Sequence, residues 1–272
     1  MITSIRKLQM LAPLLFIICC ASLPNAISDS RYQNGNLQRW SSEPNLSNRT
    51  QGYTQLRRQS SFRGHGSCKT NYRYDYTQLT LMWAPGACRT SPTECKRIES
   101  KHFTIHGMWP TIKGTLEPDF CCFDNTFYYE AIRPLLPALN EYWQSYYDLN
   151  DSRSLWRHEW LKHGTCARDI PALKGEANYF GTTLKLTKQL DVLSTLQKNN
   201  IVPDPNRVYK SSDISSVLGR ISKGKAVQID CDYEHHQPIP VLTGVNFCFD
   251  SNLEFTDCPD MKRKCQKQLY FV

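Results

Sequence analysis

Cysteine is the residue type that most constrains this chain. Twelve cysteines occur in its 272 residues, and the first two, Cys19 and Cys20, lie in an apolar N-terminal stretch. Cysteines of secreted proteins pair as disulfides, whereas a zinc site would use repeated C-x-x-C or C-x-x-H units, which this sequence lacks. An even set of ten is left, and it predicts a disulfide-bonded domain without a metal: Cys68, Cys88, Cys95, Cys121, Cys122, Cys166, Cys231, Cys248, Cys258 and Cys265.

The N-terminal stretch has the layout of a secretory signal. Two basic residues precede an apolar run over 10–21, and about a dozen apolar residues are too few to span roughly 30 Å of hydrocarbon. Small residues at Ala26 and Ser28 fit a cleavage site, so we predict a signal peptide over 1–28, with Ala21 and Ala26 as alternative cleavage points. We expect no membrane span, and a protein that is secreted or held in the lumen of a lysosome or another acidic compartment. Three glycosylation sequons agree with that route: Asn45, Asn48 and Asn150.

Residues 29–67 have the composition of a flexible basic arm. They are rich in Ser, Asn, Gln, Arg and Gly, so they cannot bury enough apolar surface to offset the entropy of ordering. Six arginines against Asp29 and Glu43 give the arm a net charge of +4, a large share of the +8 of the whole chain. The pair Arg57-Arg58 is a processing site or an electrostatic tether, and a solvated tail is the simplest interpretation. Most of the positive charge therefore lies outside the globular part.

Residues 68–272 have the composition of one globular domain. The chain is 40% hydrophobic, and about 205 residues without a repeat or linker can build a single core. Segment 76–83 is aromatic and β-branched and ends at Pro85-Gly86, which predicts a strand and a turn. Helices in the middle and strands near the C-terminus indicate an α+β fold rather than a regular βαβ repeat. The predicted helices cover 127–147, 154–166 and 179–198, and the later strands cover 226–230 and 239–249.

The stretch FTIHGMWP over 103–110 is the first of two with catalytic character. His106 lies there in an apolar setting, a glycine follows it, and Trp109 offers a flat aromatic face. The histidines outside the two stretches lie where solvation or a local contact explains them better than catalysis: His65, His102, His235 and His236.

The stretch HEWLKHGTC over 158–166 is the second. On a helix, residues four apart share a face, so His158 is expected beside Lys162 and Glu159 beside His163. The zinc-protease motif H-E-x-x-H needs two histidines four apart, but position 162 is Lys. His163 is five residues from His158, which on an ideal helix turns it about 140° away. A shared metal ion is therefore not expected.

Two histidines with a lysine and a glutamate supply what metal-free cleavage of RNA requires. A 2′-hydroxyl must lose a proton to attack the adjacent phosphorus, and the departing 5′-oxygen must gain one. Imidazole, with a pKa near 6.5, can do either. Lys162 and His158 would stabilise the negative charge that grows on the phosphate oxygens in the transition state. DNA lacks the attacking hydroxyl and is expected to resist.

These two stretches resemble the active-site segments of the ribonuclease T2 family, the secreted acid endoribonucleases. The resemblance extends from about residue 70 to the C-terminus. It implies an α+β fold, a curved antiparallel sheet packed with helices, in one disulfide-bonded catalytic domain over 68–272. It also implies that His163 is the base that takes the 2′-hydroxyl proton and that His106 is the acid.

The resemblance assigns the other members of the site as well. His158 matches a phosphate-binding histidine, and Glu159 with Lys162 matches the pair that stabilises the transition state. Trp109 falls where the family stacks a base, a contact that contributes on the order of 1–3 kcal/mol. No cofactor is implied.

The resemblance implies a disulfide pattern too. Cys166 would bond one member of the Cys121-Cys122 doublet, and Cys68 would take the other; spacing favours Cys121 for Cys166 but leaves both choices open. The other implied pairs are Cys88 with Cys95, Cys231 with Cys265, and Cys248 with Cys258.

Two positions depart from the family's usual residues. Thr111 stands where many relatives have Asp or Asn, and Met82 stands where relatives often have Gln. Base preference is therefore not predicted at either base subsite.

The sequence as a whole predicts a secreted or lysosomal endoribonuclease. It would cleave single-stranded RNA through a 2′,3′-cyclic phosphate, without metal or cofactor, and act as a monomer. The alternative is a secreted RNA-binding or signalling protein in which catalysis is incidental, a role that the basic arm could serve by holding phosphates.

Overall fold

The computed structural model describes Cys68 and residues 74–96, 101–113, 118–122, 126–148, 151–259 and 265–272. All of them belong to the unit Arg39–Val272. The predicted signal peptide, the arm up to residue 67 and the three glycosylation sites, Asn45, Asn48 and Asn150, lie outside the described residues. None of the helices in the described part of the chain is long and apolar enough to cross a membrane.

A seven-stranded sheet organises these residues. The strands are β1 (Tyr76–Met82), β2 (Thr104–Thr111), β3 (Asp204–Lys210), β4 (Gln228–Asp232), β5 (Val241–Phe249), β6 (Phe255–Thr256) and β7 (Gln268–Phe271). Their order is β2-β1-β5-β7-β3, and β4 and β6 also pair with β5. The three strands predicted from sequence correspond to β1, β4 and β5, whereas β2, β3, β6 and β7 were not predicted.

The pairing is antiparallel apart from one contact. β5 and β7 pair in parallel through Val241 and Tyr270, which the expected antiparallel sheet did not include. Parallel pairing needs a crossover connection, and the chain between these strands runs out through β6 before it returns. The α+β fold itself is confirmed.

The described residues form seven α-helices, which cover the sheet. They are α1 (Ala84–Thr90), α2 (Tyr129–Ile132), α3 (Leu136–Tyr142), α4 (Arg153–Lys162), α5 (Glu176–Leu190), α6 (Val192–Lys198) and α7 (Ser211–Ile221). The predicted helix over 127–147 is divided into α2, a 3-10 turn and α3, because Pro134 and Pro137 lack the N–H that a continuous helix needs. The predicted helix over 179–198 is divided at Asp191, whose φ of +39° is left-handed.

The core lies between the sheet and the helices, and β2 contributes to it from the edge of the sheet. Ile105 and Met108 of β2 are buried against Leu79 and Leu81 of β1. The helical layer adds tryptophans and tyrosines, and Tyr179 of α5 is fully buried. Burial of each such side chain stabilises the fold by about 1.5–3 kcal/mol. The strand that carries the first motif is therefore fixed on both sides.

Five disulfide bonds join the described cysteines. The structure decides the doublet, because Cys121 bonds Cys166 and Cys122 bonds Cys68. The Cys121 bond is supported by a hydrogen bond from the Phe120 backbone N–H to the Lys162 carbonyl, at 3.0 Å. The segment around Phe120 and Cys121 is thereby held against the end of α4. The other bonds are Cys88 with Cys95, Cys231 with Cys265, and Cys248 with Cys258.

Candidate active site

His106 lies at an irregularity of β2. Thr80 of β1 pairs with Gly107, and Leu81 pairs with Ile105, so His106 is an extra residue in the ladder. Such a β-bulge bends the strand and re-aims a side chain. The sequence showed an apolar setting for this histidine but gave no sign of the bulge.

His163 lies just beyond the end of α4. The helix ends at Lys162, and His163 is its C-cap, with φ −116° and a backbone N–H that donates to the Glu159 carbonyl at 3.1 Å. The ring centroids of His158 and His163 are 6.3 Å apart. The separation of about 140° expected from an ideal helix is therefore wrong, because the chain leaves the helix before His163.

Trp109 connects the two motifs. Its Nε1 donates a hydrogen bond of 2.9 Å to Oε2 of the buried Glu159. Its ring centroid lies 5.0 Å from that of His106 and 5.1 Å from that of His163. The indole thus contacts both histidines that were expected to be acid and base.

Gly107 makes this contact possible. A Cβ at this position would overlap Nε1 of Trp109 and Oε2 of Glu159. A glycine inside a strand often marks such a close approach, so the signal was present in the sequence, although Gly107 was not predicted as a site residue.

A family model matches most of the described chain. Residues 74–258 match the model of the Ribonuclease T2 family. The chain belongs to the ribonuclease T2 family.

Several members of the family are close relatives of this T2-type endoribonuclease. Ribonuclease S-6 of Pyrus pyrifolia is 31% identical over 71% of this chain and 83% of its own length. Ribonuclease T2 of Sus scrofa is 35% identical over 62% of this chain and 84% of its own length. Among solved structures, RNase NT in complex with 5′-AMP has a TM-score of 0.65 and 25% identity, and the match covers 74% of this chain and 98% of that one.

The three histidines of this ribonuclease T2 family member have lowered pKa values. Burial, followed by the nearby Lys162 ammonium, lowers the pKa of His106 from 6.5 to about 4. The same two causes, with a smaller effect of His106, lower the pKa of His158 to about 4. Burial lowers the pKa of His163 well below 6.5, and Lys162 adds to the effect. All three imidazoles are therefore neutral near pH 7, which suits a proton acceptor.

Lys162 is the charged group common to the three histidines of the candidate site. It lowers the pKa of each of the three histidines, so its ammonium lies within electrostatic reach of all of them. The structure thus brings together all six side chains predicted from the sequence: His106, Trp109, His158, Glu159, Lys162 and His163.

Three of these side chains also have the geometry of a metal-binding group. Ligand atoms of His158, Glu159 and His163 lie within 4.8 Å of one another. Imidazole nitrogens and a carboxylate oxygen are suitable donors for a divalent transition metal. Because the helix ends at Lys162, ideal helix geometry does not exclude a shared ion, and these three side chains could hold a divalent metal.

The two positions that depart from the family's usual residues lie in or beside the sheet. Thr111 is buried, and its hydroxyl donates to the Trp109 carbonyl at 3.0 Å. This bond uses the hydroxyl to support the backbone of Trp109. Met82 is half-buried at the end of β1.

Proposed function

We propose that this endoribonuclease cleaves single-stranded RNA by metal-free transphosphorylation and leaves a 2′,3′-cyclic phosphate. The observation that carries the proposal is the pair of imidazoles, His106 and His163, whose rings both lie within 5.1 Å of the Trp109 indole. Two proton-transfer groups close to one stacking side chain suit a reaction in which one proton is removed and another is delivered. The complex of RNase NT with 5′-AMP supports a nucleotide as the ligand.

In the first half of the reaction, His163 acts as the base. Burial and Lys162 lower its pKa well below 6.5, so it is neutral near pH 7 and can accept the 2′-hydroxyl proton. The oxygen that loses this proton attacks the adjacent phosphorus, and a bond from O2′ to phosphorus forms. The cation of Lys162 stabilises the charge that develops on the phosphate oxygens, and His158 can donate to the same oxygens.

In the second half, His106 acts as the acid. The bond from phosphorus to O5′ breaks, and the 5′-oxygen takes the proton of His106. The pKa of about 4 in the empty site leaves this imidazole largely unprotonated at neutral pH. A bound phosphate anion favours the imidazolium and so raises the pKa of His106 in the complex. Substrate binding therefore favours the protonated form of His106, which is the form that can act as an acid.

Glu159 and Trp109 orient one another within the site. Glu159 is buried and accepts the Trp109 hydrogen bond, so the carboxylate and the indole fix one another. The proposed role of Trp109 is to stack on a base of the RNA, and the proposed role of Glu159 is to work with Lys162 on the transition state.

We also propose the domain organisation and the route of the protein. Residues 1–28 would direct export, 29–67 would be a basic arm, and 68–272 would be the catalytic domain. The family match over 74–258 supports the last of these, and the disulfide bonds support an oxidising compartment, either outside the cell or in the lumen of an acidic organelle. The proposal includes glycosylation at Asn45, Asn48 and Asn150 and a monomeric enzyme.

Digestion of RNA in excess EDTA tests the reaction. Protein collected from the medium of cells that express the full chain is expected to degrade single-stranded RNA between about pH 5 and 7, where imidazole chemistry operates. The fragments are expected to carry cyclic phosphate ends, detected by mass spectrometry. DNA of the same sequence is the control and is expected to stay intact.

Two other outcomes would contradict parts of the proposal. Cleavage that stops in EDTA and returns with a divalent metal would assign the reaction to an ion at His158, Glu159 and His163. Binding of RNA without cleavage would favour the RNA-binding alternative.

The pH dependence of the rate tests the assignment of the acid. The profile of kcat/KM reports the free enzyme, so it is expected to fall as pH rises above the pKa of His106, about 4. The profile of kcat reports the complex, in which the bound phosphate raises this pKa, so its fall is expected at higher pH. The measurement is initial rates on a dinucleoside monophosphate. Two profiles that fall at the same pH, or that rise toward neutral pH, would contradict the role of His106.

A further inference from the structure

Strand β2 has one edge that no strand covers. Among the described strands, β2 pairs only with β1. Carbonyl groups on the other edge need hydrogen-bond donors from outside the sheet, because buried backbone groups that lack hydrogen bonds destabilise the fold. Two side chains of the helical layer supply them. Nε1 of Trp143 donates to the His106 carbonyl at 3.1 Å, and the hydroxyl of Tyr179 donates to the Met108 carbonyl at 2.9 Å.

The indole of Trp143 is held in place by its burial and by hydrogen bonds of its backbone. This side chain is fully buried and follows α3 directly. Its backbone N–H donates to the Leu139 carbonyl at 2.8 Å, and its own carbonyl accepts a hydrogen bond of 2.6 Å from Nε1 of Trp156 on α4. Its ring lies 6.0 Å from that of Tyr179. The two donors to β2 are thus parts of one packed aromatic group.

The bulge explains why such a donor matters at His106. A bulged residue has no opposite partner in the ladder, so the pairing of β1 with β2 does not by itself fix its peptide group. A hydrogen bond to its carbonyl restricts that peptide and, through it, the direction of the side chain. Proton transfer depends strongly on this direction, since a displacement of about 1 Å can cost on the order of a hundredfold in rate.

We propose that Trp143 is a positioning residue for the acid: by donating to the carbonyl of His106 at the bulge, it aims the imidazole at the departing 5′-oxygen. Tyr179 supports the same strand at Met108, next to Trp109. The inference rests on the proposed catalytic role of His106. Trp143 touches no reacting atom and acts only through the backbone of β2.

The substitution Trp143→Phe tests this role, since it keeps an aromatic ring and removes only the indole donor. On a dinucleoside monophosphate, kcat is expected to fall about tenfold or more, the cost of a misplaced catalytic group, while KM stays within about twofold. Trp83→Phe is the matched control. Trp83 is also a buried tryptophan whose Nε1 donates to a backbone carbonyl, that of Val272, and its loss is expected to lower thermal stability without lowering kcat.

A second measurement separates positioning from a loss of stability. In Trp143→Phe, the half-buried imidazole of His106 is expected to turn toward solvent and to titrate closer to 6.5 than to 4, whereas in Trp83→Phe its pKa stays low. The charged and titratable groups around it, Lys162, His158 and His163, are the same in both variants. Proton NMR of the His106 ring, assigned with His106→Ala, gives the pKa.

The outcomes distinguish this inference from the proposed function. An active His106→Ala enzyme would overturn the proposed function itself. An inactive His106→Ala with an unchanged kcat in Trp143→Phe would overturn the positioning role alone. If Trp143→Phe does not fold, Tyr179→Phe carries the test: kcat is expected to fall about threefold or more with KM nearly unchanged, and an unaltered kcat would overturn the inference.

Discussion

The substitution His163→Ala is expected to lower kcat for RNA cleavage by about a thousandfold, because a positioned general base contributes on the order of 10²–10⁴ to the rate. The ring is buried next to Trp109, and alanine supplies no group that could accept the proton in its place. Single-turnover cleavage of a labelled oligoribonucleotide measures the loss directly, and RNA binding to the inactive variant is expected to remain.

The matched control for this substitution is His235→Ala. His235 is exposed in the loop between β4 and β5, and its ring contacts that of His236 rather than the site. Its removal is expected to leave kcat unchanged. A His163→Ala enzyme that keeps more than about a tenth of the activity would contradict the role of base, since the chemistry would then have another proton acceptor.

The substitution Gly107→Ala is expected to lower kcat/KM by about a hundredfold, through misplacement of groups rather than loss of any of them. The added methyl group would overlap the Trp109 indole nitrogen and the Glu159 carboxylate. Their hydrogen bond would have to break, and the indole would move away from both histidines. Initial rates on a dinucleoside monophosphate are the measurement.

Gly181→Ala is the control for Gly107→Ala. Gly181 lies within α5, and a Cβ there would meet only Cδ1 of Leu135, at an ordinary 3.7 Å. Alanine in a helix interior is favoured over glycine by about 1 kcal/mol, so this variant is expected to be slightly more stable and fully active. Equal activity of the two variants would show that the close packing around Gly107 is not needed for catalysis.

The lowered pKa values of the three histidines favour the proposed base but disfavour the proposed acid in the empty site. Burial and the ammonium of Lys162 keep His106, His158 and His163 neutral in the empty enzyme. A neutral base is ready at once, whereas the acid must gain its proton, and the phosphate of the substrate favours that gain. Because these causes act on all three imidazoles in the same direction, the bound phosphate, rather than the empty site, would distinguish the proposed acid from the proposed base.

Much of the candidate site could be predicted because its chemistry is local in sequence. All six predicted side chains come from two short stretches, and the secondary structure keeps each stretch together, on β2 in one case and on α4 with its C-cap in the other. What could not be predicted is the end of α4 at Lys162. An ideal helix separates His158 from His163, and only the departure of the chain from the helix brings their rings within 6.3 Å.

Part of the fold could also be predicted from the sequence. Alternation and apolar spacing indicated β1, β4, β5 and most of the helical layer, because those patterns follow from burial on one face. The exposed edge strand β3 has only Tyr209 buried, so its sequence carries no such pattern. The break at Asp191 depends on local backbone conformation and was equally hidden, whereas Pro134 and Pro137 already mark an interruption in the sequence.

The sequence by itself determined the residue types of the chemistry, the disulfide-bonded character of the domain and the α+β class, because all three depend on composition and short-range spacing. Only the tertiary structure decided that Cys121 bonds Cys166, that His106 lies on a bulge, and that Trp109 contacts both histidines. These features join residues far apart in the chain. Their geometry follows from the position of β2 at the sheet edge, paired with β1 and bonded by buried aromatic side chains of the helical layer, and a local sequence pattern does not show this.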